Sequence, residues 1–213
     1  MIYLVATHSM LVELHGGMIT LAALCIIVTV LARSQLKAKS DNESNGISWS
    51  KDSLMGRIGR YTEPTAYVAA IGGVLGLVAS AIVGFFVWPM DLLTTSALGL
   101  SKVAFSIFAM VLLIEFVLVR FKYGESVWKN GVATAVYACL GLVGFLFIVL
   151  AGSFGGHMAL KGSVLDPLFA LLNINPLTFG VTGSNFAVLL IGVICVEIAV
   201  PIIVLMLLRR RAS

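Results

Sequence analysis

His8, His15 and His157 are the only histidines of the chain, and neutral imidazole is the side chain that most readily ligates metals and haem iron near neutral pH. His8 and His15 stand in His8-Ser-Met-Leu-Val-Glu-Leu-His15-Gly-Gly, seven residues apart and therefore on nearly one face of a helix. A rise of about 1.5 Å per residue separates them by roughly 10 Å along the axis, too far for both to be axial ligands of one iron. His157 stands in Gly152-Ser-Phe-Gly-Gly-His157-Met158. The glycine pairs at 16–17 and 155–156 leave room beside these histidines for a flat macrocycle. Met10 and Met158 accompany His8 and His157, and thioether with imidazole suits copper, Cu(I) above all, as the alternative metal.

Three carboxylates fall within apolar stretches: Glu13, Glu115 and Glu197. Glu197 stands four residues before Pro201, whose missing N–H leaves the Glu197 carbonyl without its helical partner. A kink beside a buried acid is a proton or cation position in a small ion-coupled transporter. The plainer reading is a protonated carboxyl hydrogen-bonded across a helix interface. No Ser-His-Asp order, HExxH pair, phosphate-binding glycine loop or dinucleotide fingerprint is present, so the expected role is that of a non-catalytic subunit.

The chain that must position these groups has 213 residues, of which 60% are apolar and 11% charged, against about 25% charged in a soluble domain. Its mean hydropathy is +1.06. Crossing a hydrocarbon core of about 30 Å takes roughly 20 apolar residues in a helix, and five stretches qualify: about 10–32, 65–88, 101–121, 131–154 and 184–208. No period-two pattern supports a barrel, and an open sheet would strand peptide groups in lipid. The first stretch lacks a basic region ahead of it, so it reads as a retained span rather than a cleaved signal.

Charge sets the expected orientation. Arg33, Lys37, Lys39, Lys51, Arg57 and Arg60 lie in a cytoplasmic loop over 33–63. Arg120, Lys122 and Lys129 follow the third span, and Arg209-Arg210-Arg211 closes the chain. These are 12 of the 14 basic residues, with Lys102 and Lys161 left for the other face. The positive-inside rule then puts the N-terminus outside and the C-terminus inside. The net charge of +4 is explained by orientation, and no basic surface for nucleic acid is present. Cys25, Cys139 and Cys195 sit in apolar runs without CxxC spacing and read as small hydrophobes.

Gly72, Gly76, Ser80 and Gly84 repeat at four-residue spacing in the second span, with Ala69 and Gly73 beside them. Gly141, Gly144, Gly152 and Gly156 give the fourth a similar narrow side. Such stripes let helix backbones approach closely in lipid. The fold class is therefore all-α, an integral membrane antiparallel bundle of five helices forming one domain of the cell membrane. The segment 158–182, too short to span and too apolar for free solution, is expected to lie in the outer interface as a short helix. Counted from Arg33, His15 is about 27 Å and His8 about 38 Å along the first helix; counted from Lys129, His157 is about 42 Å along the fourth. All three histidines then share the outer side.

At both helix ends the chain resembles a widespread four-helix membrane family of unassigned function. Its members open with two histidines around a short apolar stretch and close their last helix in a Ser-Gly-x-x-Gly-Gly-like motif. His8 to His15 and Ser153-Phe-Gly-Gly156 are similar to these, and the resemblance covers about residues 5–165, leaving the fifth span as an addition. A Ser follows His8 where that family has Pro, and the two histidines stand further apart. The resemblance implies b-type haem, with His157 and either His8 or His15 as ligands. The expected function is electron transfer within a larger respiratory or oxidoreductase complex, with the bilayer, other membrane subunits and a quinol as partners. A cofactor-free structural subunit is the alternative.

Overall fold

The computed structural model describes residues 2–42, 54–178, 181 and a scatter of positions between 185 and 206. It is helical throughout the described residues, with no strand. The order is α1 (Ile2–Asn42), α2 (Leu54–Val87), α3 (Met90–Thr95), α4 (Ala97–Tyr123), a 3-10 turn (Gly124–Lys129), α5 (Gly131–Met158) and α6 (Asp166–Leu171). Four segments, Ile2–Gln35, Leu54–Val87, Ala97–Lys129 and Gly131–Met158, are long and apolar enough to cross a membrane. The stretch expected to form a fifth span is helical at the positions described within it, such as 185–188 and 202–203. Glu197 lies outside the described residues.

The helices outrun the expected boundaries. α1 begins at Ile2 and continues through Asn42, and α2 starts at Leu54, so the expected loop over 33–63 is helical at both ends. The physical reason lies in Arg33-Ser-Gln-Leu-Lys-Ala-Lys39, where Arg, Gln, Leu, Lys and Ala are all strong helix formers. The segment between the second and third spans also holds α3, launched after Pro89 and ended at Ser96. Ser96 then caps α4, its hydroxyl accepting from the Gly99 N–H at 3.0 Å, as an N-cap serine does. Asn130 caps α5 in the same way, accepting from the Val132 N–H at 3.0 Å.

Contacts along α1 and α2 run in opposite order. His8 meets Gly84, His15 meets Gly76 and Ile19 meets Gly73, and the Thr29 and Thr62 hydroxyls stand 2.7 Å apart. Gly72, Gly76 and Gly84 of the stripe therefore pack on α1. α4 and α5 pair likewise: Phe105 stacks on Phe154 and Phe116 on Tyr137, with centroids 5.5 and 4.2 Å apart. Leu113 fills the space left at Gly144, and Ile26 of α1 joins Phe116 over Gly141. Gly152 faces open space instead. Leucines and isoleucines such as Leu24, Leu75, Ile82 and Leu146 point outward, as expected of helices that are apolar all round and bathed in lipid.

One end of the helices is closed by charge. Glu63, next to Pro64 in α2, receives both Nε and Nη2 of Arg120 from α4, the latter at 2.9 Å. Trp128 Nε1 donates to the same carboxylate at 3.3 Å, and the Arg33 guanidinium lies 4.8 Å from the Trp128 ring centroid. Tyr137 sits edge-on to Trp128. Three helical segments, α2, α4 and the 3-10 turn, thus meet at one carboxylate, with α1 and α5 packed on Trp128 beside it. Removing one partner of such a buried pair strands the other charge, at a cost of about 3–5 kcal/mol. Arg120→Met should accordingly lower the thermal midpoint of the detergent-solubilised protein sharply, whereas Glu63→Met with Arg120→Met should recover most of the loss. An Arg120→Met midpoint equal to that of the wild type would show that the pair does not hold the helices together.

Candidate cofactor site at the histidine end

The opposite end carries the histidines. Both imidazoles of α1 are withdrawn from the surface, His8 at 8% and His15 at 5% exposure, because their shared face is the one α2 covers. His8 Nδ1 stands 3.1 Å from the Ser80 carbonyl across the helix interface. His15 Nδ1 stands 2.8 Å from the Leu11 carbonyl one turn back in its own helix. A carbonyl can only accept, so each Nδ1 carries the proton and each Nε2 keeps its lone pair. This is the tautomer that leaves an imidazole ready to ligate through Nε2 while the backbone orients its ring.

The stripe on α2 makes room for these rings. A Cβ at Gly84 would stand 3.0 Å from His8 Cε1, and one at Gly76 would stand 2.9 Å from His15 Cβ. The glycines thus serve as the floor on which the histidines lie. A Cβ on Gly16 or Gly17 would touch nothing within 4 Å, so space beside the first pair is present. The second pair is filled: Gly155 faces Lys102, and Gly156 lies against the Gly162 carbonyl.

His157 ends α5 in a different setting. Its Nε2 lies 3.0 Å from Asp166 Oδ1, close but without hydrogen-bond alignment. The turn that brings Asp166 there is well tied. The Ser153 and Ser163 hydroxyls meet at 2.5 Å, the Ser163 N–H donates to Asp166 Oδ2 at 2.9 Å, and the Leu165 N–H donates to the Ser163 hydroxyl at 2.9 Å. Gly162 takes φ +69°, a conformation glycine adopts without steric cost. The chain then enters α6, the short helix expected within 158–182, and Val181 N–H returns to the Ser101 hydroxyl of α4 at 2.7 Å.

The structure therefore places His8 and His15 together on the α1–α2 interface and His157 beside Asp166 at the end of α5. Met10 is 61% exposed, whereas His8 is buried. Among the described residues no group of three His, Cys, Asp or Glu side chains is arranged to hold a metal ion. Glu13 is exposed and Glu115 half-buried.

Two residues here were not singled out as functional candidates on sequence grounds. Lys102 of α4 read only as one of two basic residues on the sparse side, yet its Nζ packs against Gly155, two residues before His157. Its Nζ stands 5.1 Å from the ring centroid of Trp88. The signal that could have found it is an isolated Lys near the start of an apolar span, fourteen residues after an aromatic that ends the preceding one. No protein family, curated protein or solved structure matches the chain, so a functional reading rests on these residues.

Because the Gly84 hydrogen alone separates α2 from the His8 ring, Gly84→Val should expel that ring. Diethylpyrocarbonate labelling of His8, read by peptide mass spectrometry, should then rise several-fold over the wild type while His157 labelling stays level. Equal labelling of His8 in the two proteins would show that the ring does not depend on the stripe.

Proposed function

We propose that the chain is a membrane electron-transfer subunit that binds b-type haem near the outer face of a cell membrane, within a larger oxidoreductase complex. In this reading the protein is a five-helix antiparallel bundle with its N-terminus outside and its C-terminus inside. The observation that carries it is the pair of buried α1 imidazoles, each with Nδ1 committed to a carbonyl and Nε2 bare. His8 or His15 would supply one ligand, and the resemblance at Ser153–His157 nominates His157 for the other. Haem iron supplies one-electron chemistry when bound. The chain itself contributes neutral imidazole, fixes the tautomer through Ser80 and Leu11, and keeps water away with the apolar faces around α1 and α2. A redox centre near one face would serve a quinol or an external donor on one side and a partner subunit on the other.

The alternative of a cofactor-free structural subunit is favoured by one observation, the Asp166 carboxylate that already faces His157 Nε2 at 3.0 Å. An absorption spectrum of the protein, extracted in mild detergent from cells supplied with haem precursor, separates the two. The electron-transfer reading expects a Soret band that His157→Ala abolishes or shifts, and that only one of His8→Ala and His15→Ala abolishes, because residues about 10 Å apart cannot both reach one iron. Separate spectral components lost in each would mean two haems. A protein without any Soret band would hand the assignment to the structural subunit.

The orientation has its own measurement. Single cysteines at positions 44 and 161, in an otherwise cysteine-free chain, should differ on intact cells: Lys161→Cys should react with an impermeant maleimide, and Ser44→Cys should react only after the membrane is opened. The reverse pattern would place the histidines inside.

A further inference from the structure

Two N–H donors at the histidine end are without an acceptor among the described residues. Trp88 Nε1 is buried and makes no hydrogen bond. Lys102, half-buried near the start of α4, forms no ion pair with any described residue. Its ammonium stands over the Trp88 ring, 5.1 Å from the centroid, and presses on Gly155, where a Cβ would lie 3.1 Å from Nζ. The indole nitrogen belongs to that ring, so the two donors are close neighbours.

An ammonium inside an apolar helix is costly to insert, and a buried indole N–H without an acceptor adds to that cost. The chain keeps twelve of its 14 basic residues elsewhere, yet retains this one at the level of the histidines. Lysine offers three donors and no acceptor, and indole offers one donor and no acceptor. The complement is a group that only accepts and carries negative charge. We propose that Lys102 and Trp88 seat an anionic oxygen group, a carboxylate or phosphate, beside the α1 histidines.

Two sources present that chemistry. One is a porphyrin propionate, which rests on the haem reading above and is suited by Trp88 standing one turn beyond Gly84, the glycine against the His8 ring. The other is the phosphate of a lipid headgroup, which needs no cofactor and fits a Lys and a Trp near the end of a span.

The test uses the purified full-length protein and two matched pairs of probes: hemin against hemin dimethyl ester, followed by absorption, and phosphatidylglycerol against phosphatidylcholine, followed by native mass spectrometry. The wild type should prefer the anionic member of at least one pair by about tenfold, the scale of one charge-assisted hydrogen bond. Lys102→Gln should bring that preference close to unity, Lys102→Arg should keep it, and Trp88→Phe should reduce it in part. Absence of preference in the wild type for both pairs would overturn the seat, and so would a preference that Lys102→Gln leaves intact. Hemin bound equally well with its ester, with no phosphatidylglycerol preference either, would sink the seat while leaving the haem reading in place. A phosphatidylglycerol preference lost in Lys102→Gln, in a protein that binds no hemin, would keep the seat and sink the haem reading.

Discussion

A peptide group without a hydrogen-bond partner in hydrocarbon costs several kcal/mol, and no hydrophobic force gathers one apolar helix onto another there. Every feature of this chain follows from those two facts. The backbone is resolved inside long helices, and the helices are drawn together only where small residues allow contact or where polar groups must find partners. The stripe at Gly72, Gly76 and Gly84 does the first for α1 and α2, and Gly141 and Gly144 do it for α5. Threonine hydroxyls at 29 and 62, 2.7 Å apart, do the second near the Glu63 end.

The polar side chains are sorted to the two ends, and the ends differ in kind. At the Glu63 end the contacts close on themselves: carboxylate to guanidinium, indole to carboxylate, guanidinium over indole. A buried ion pair contributes little net stability compared with an apolar replacement, but it is expensive to break and so fixes which residues meet. At the histidine end the groups do not close. Among the described residues the two α1 Nε2 atoms have no partner, the Lys102 ammonium has no anion, the Trp88 indole has no acceptor, and His157 faces Asp166 out of alignment. Groups that satisfy one another organise a fold. Groups that stay partly unmet at the cost of insertion energy are where a ligand has something to offer.

Composition and charge spacing sufficed for the all-helical class and for four of the spans, because apolar runs of about 20 residues admit few other structures. The small-residue stripe was legible for the same reason. The helix ends were not. Residues 33–42 and 54–63 look like solvated loop by charge, yet their side chains favour helix once a span has paid for nucleation. By sequence Arg120 counts only among the inner basic residues and Glu63 only closes the expected loop, since nothing in one sequence says that positions 57 residues apart will face each other. The burial of His8 and His15 on one face was visible in their seven-residue spacing, whereas the acceptors of their Nδ1 protons were not. Ser80 offers its backbone carbonyl, a group every residue has, so its side-chain type carries no trace of that role.

The stripe and the site are one device. Four-residue spacing on α2 and seven-residue spacing on α1 both follow the helical period, so small residues and imidazoles come into register along the same interface. Where α1 carries Met18 or Ile19, the α2 glycines admit aliphatic packing; at His15, Gly76 admits its Cβ and backbone, and at His8, Gly84 admits the flat ring. Bulkier residues on α2 would force the imidazoles outward into lipid, where a bare Nε2 has no acceptor role to play and the ring has no partner. The close approach that joins these two helices therefore also sets where the two imidazoles stand. Packing and chemistry cannot be altered separately at Gly76 and Gly84, and this ties any ligand at the histidine end to the integrity of the α1–α2 pair.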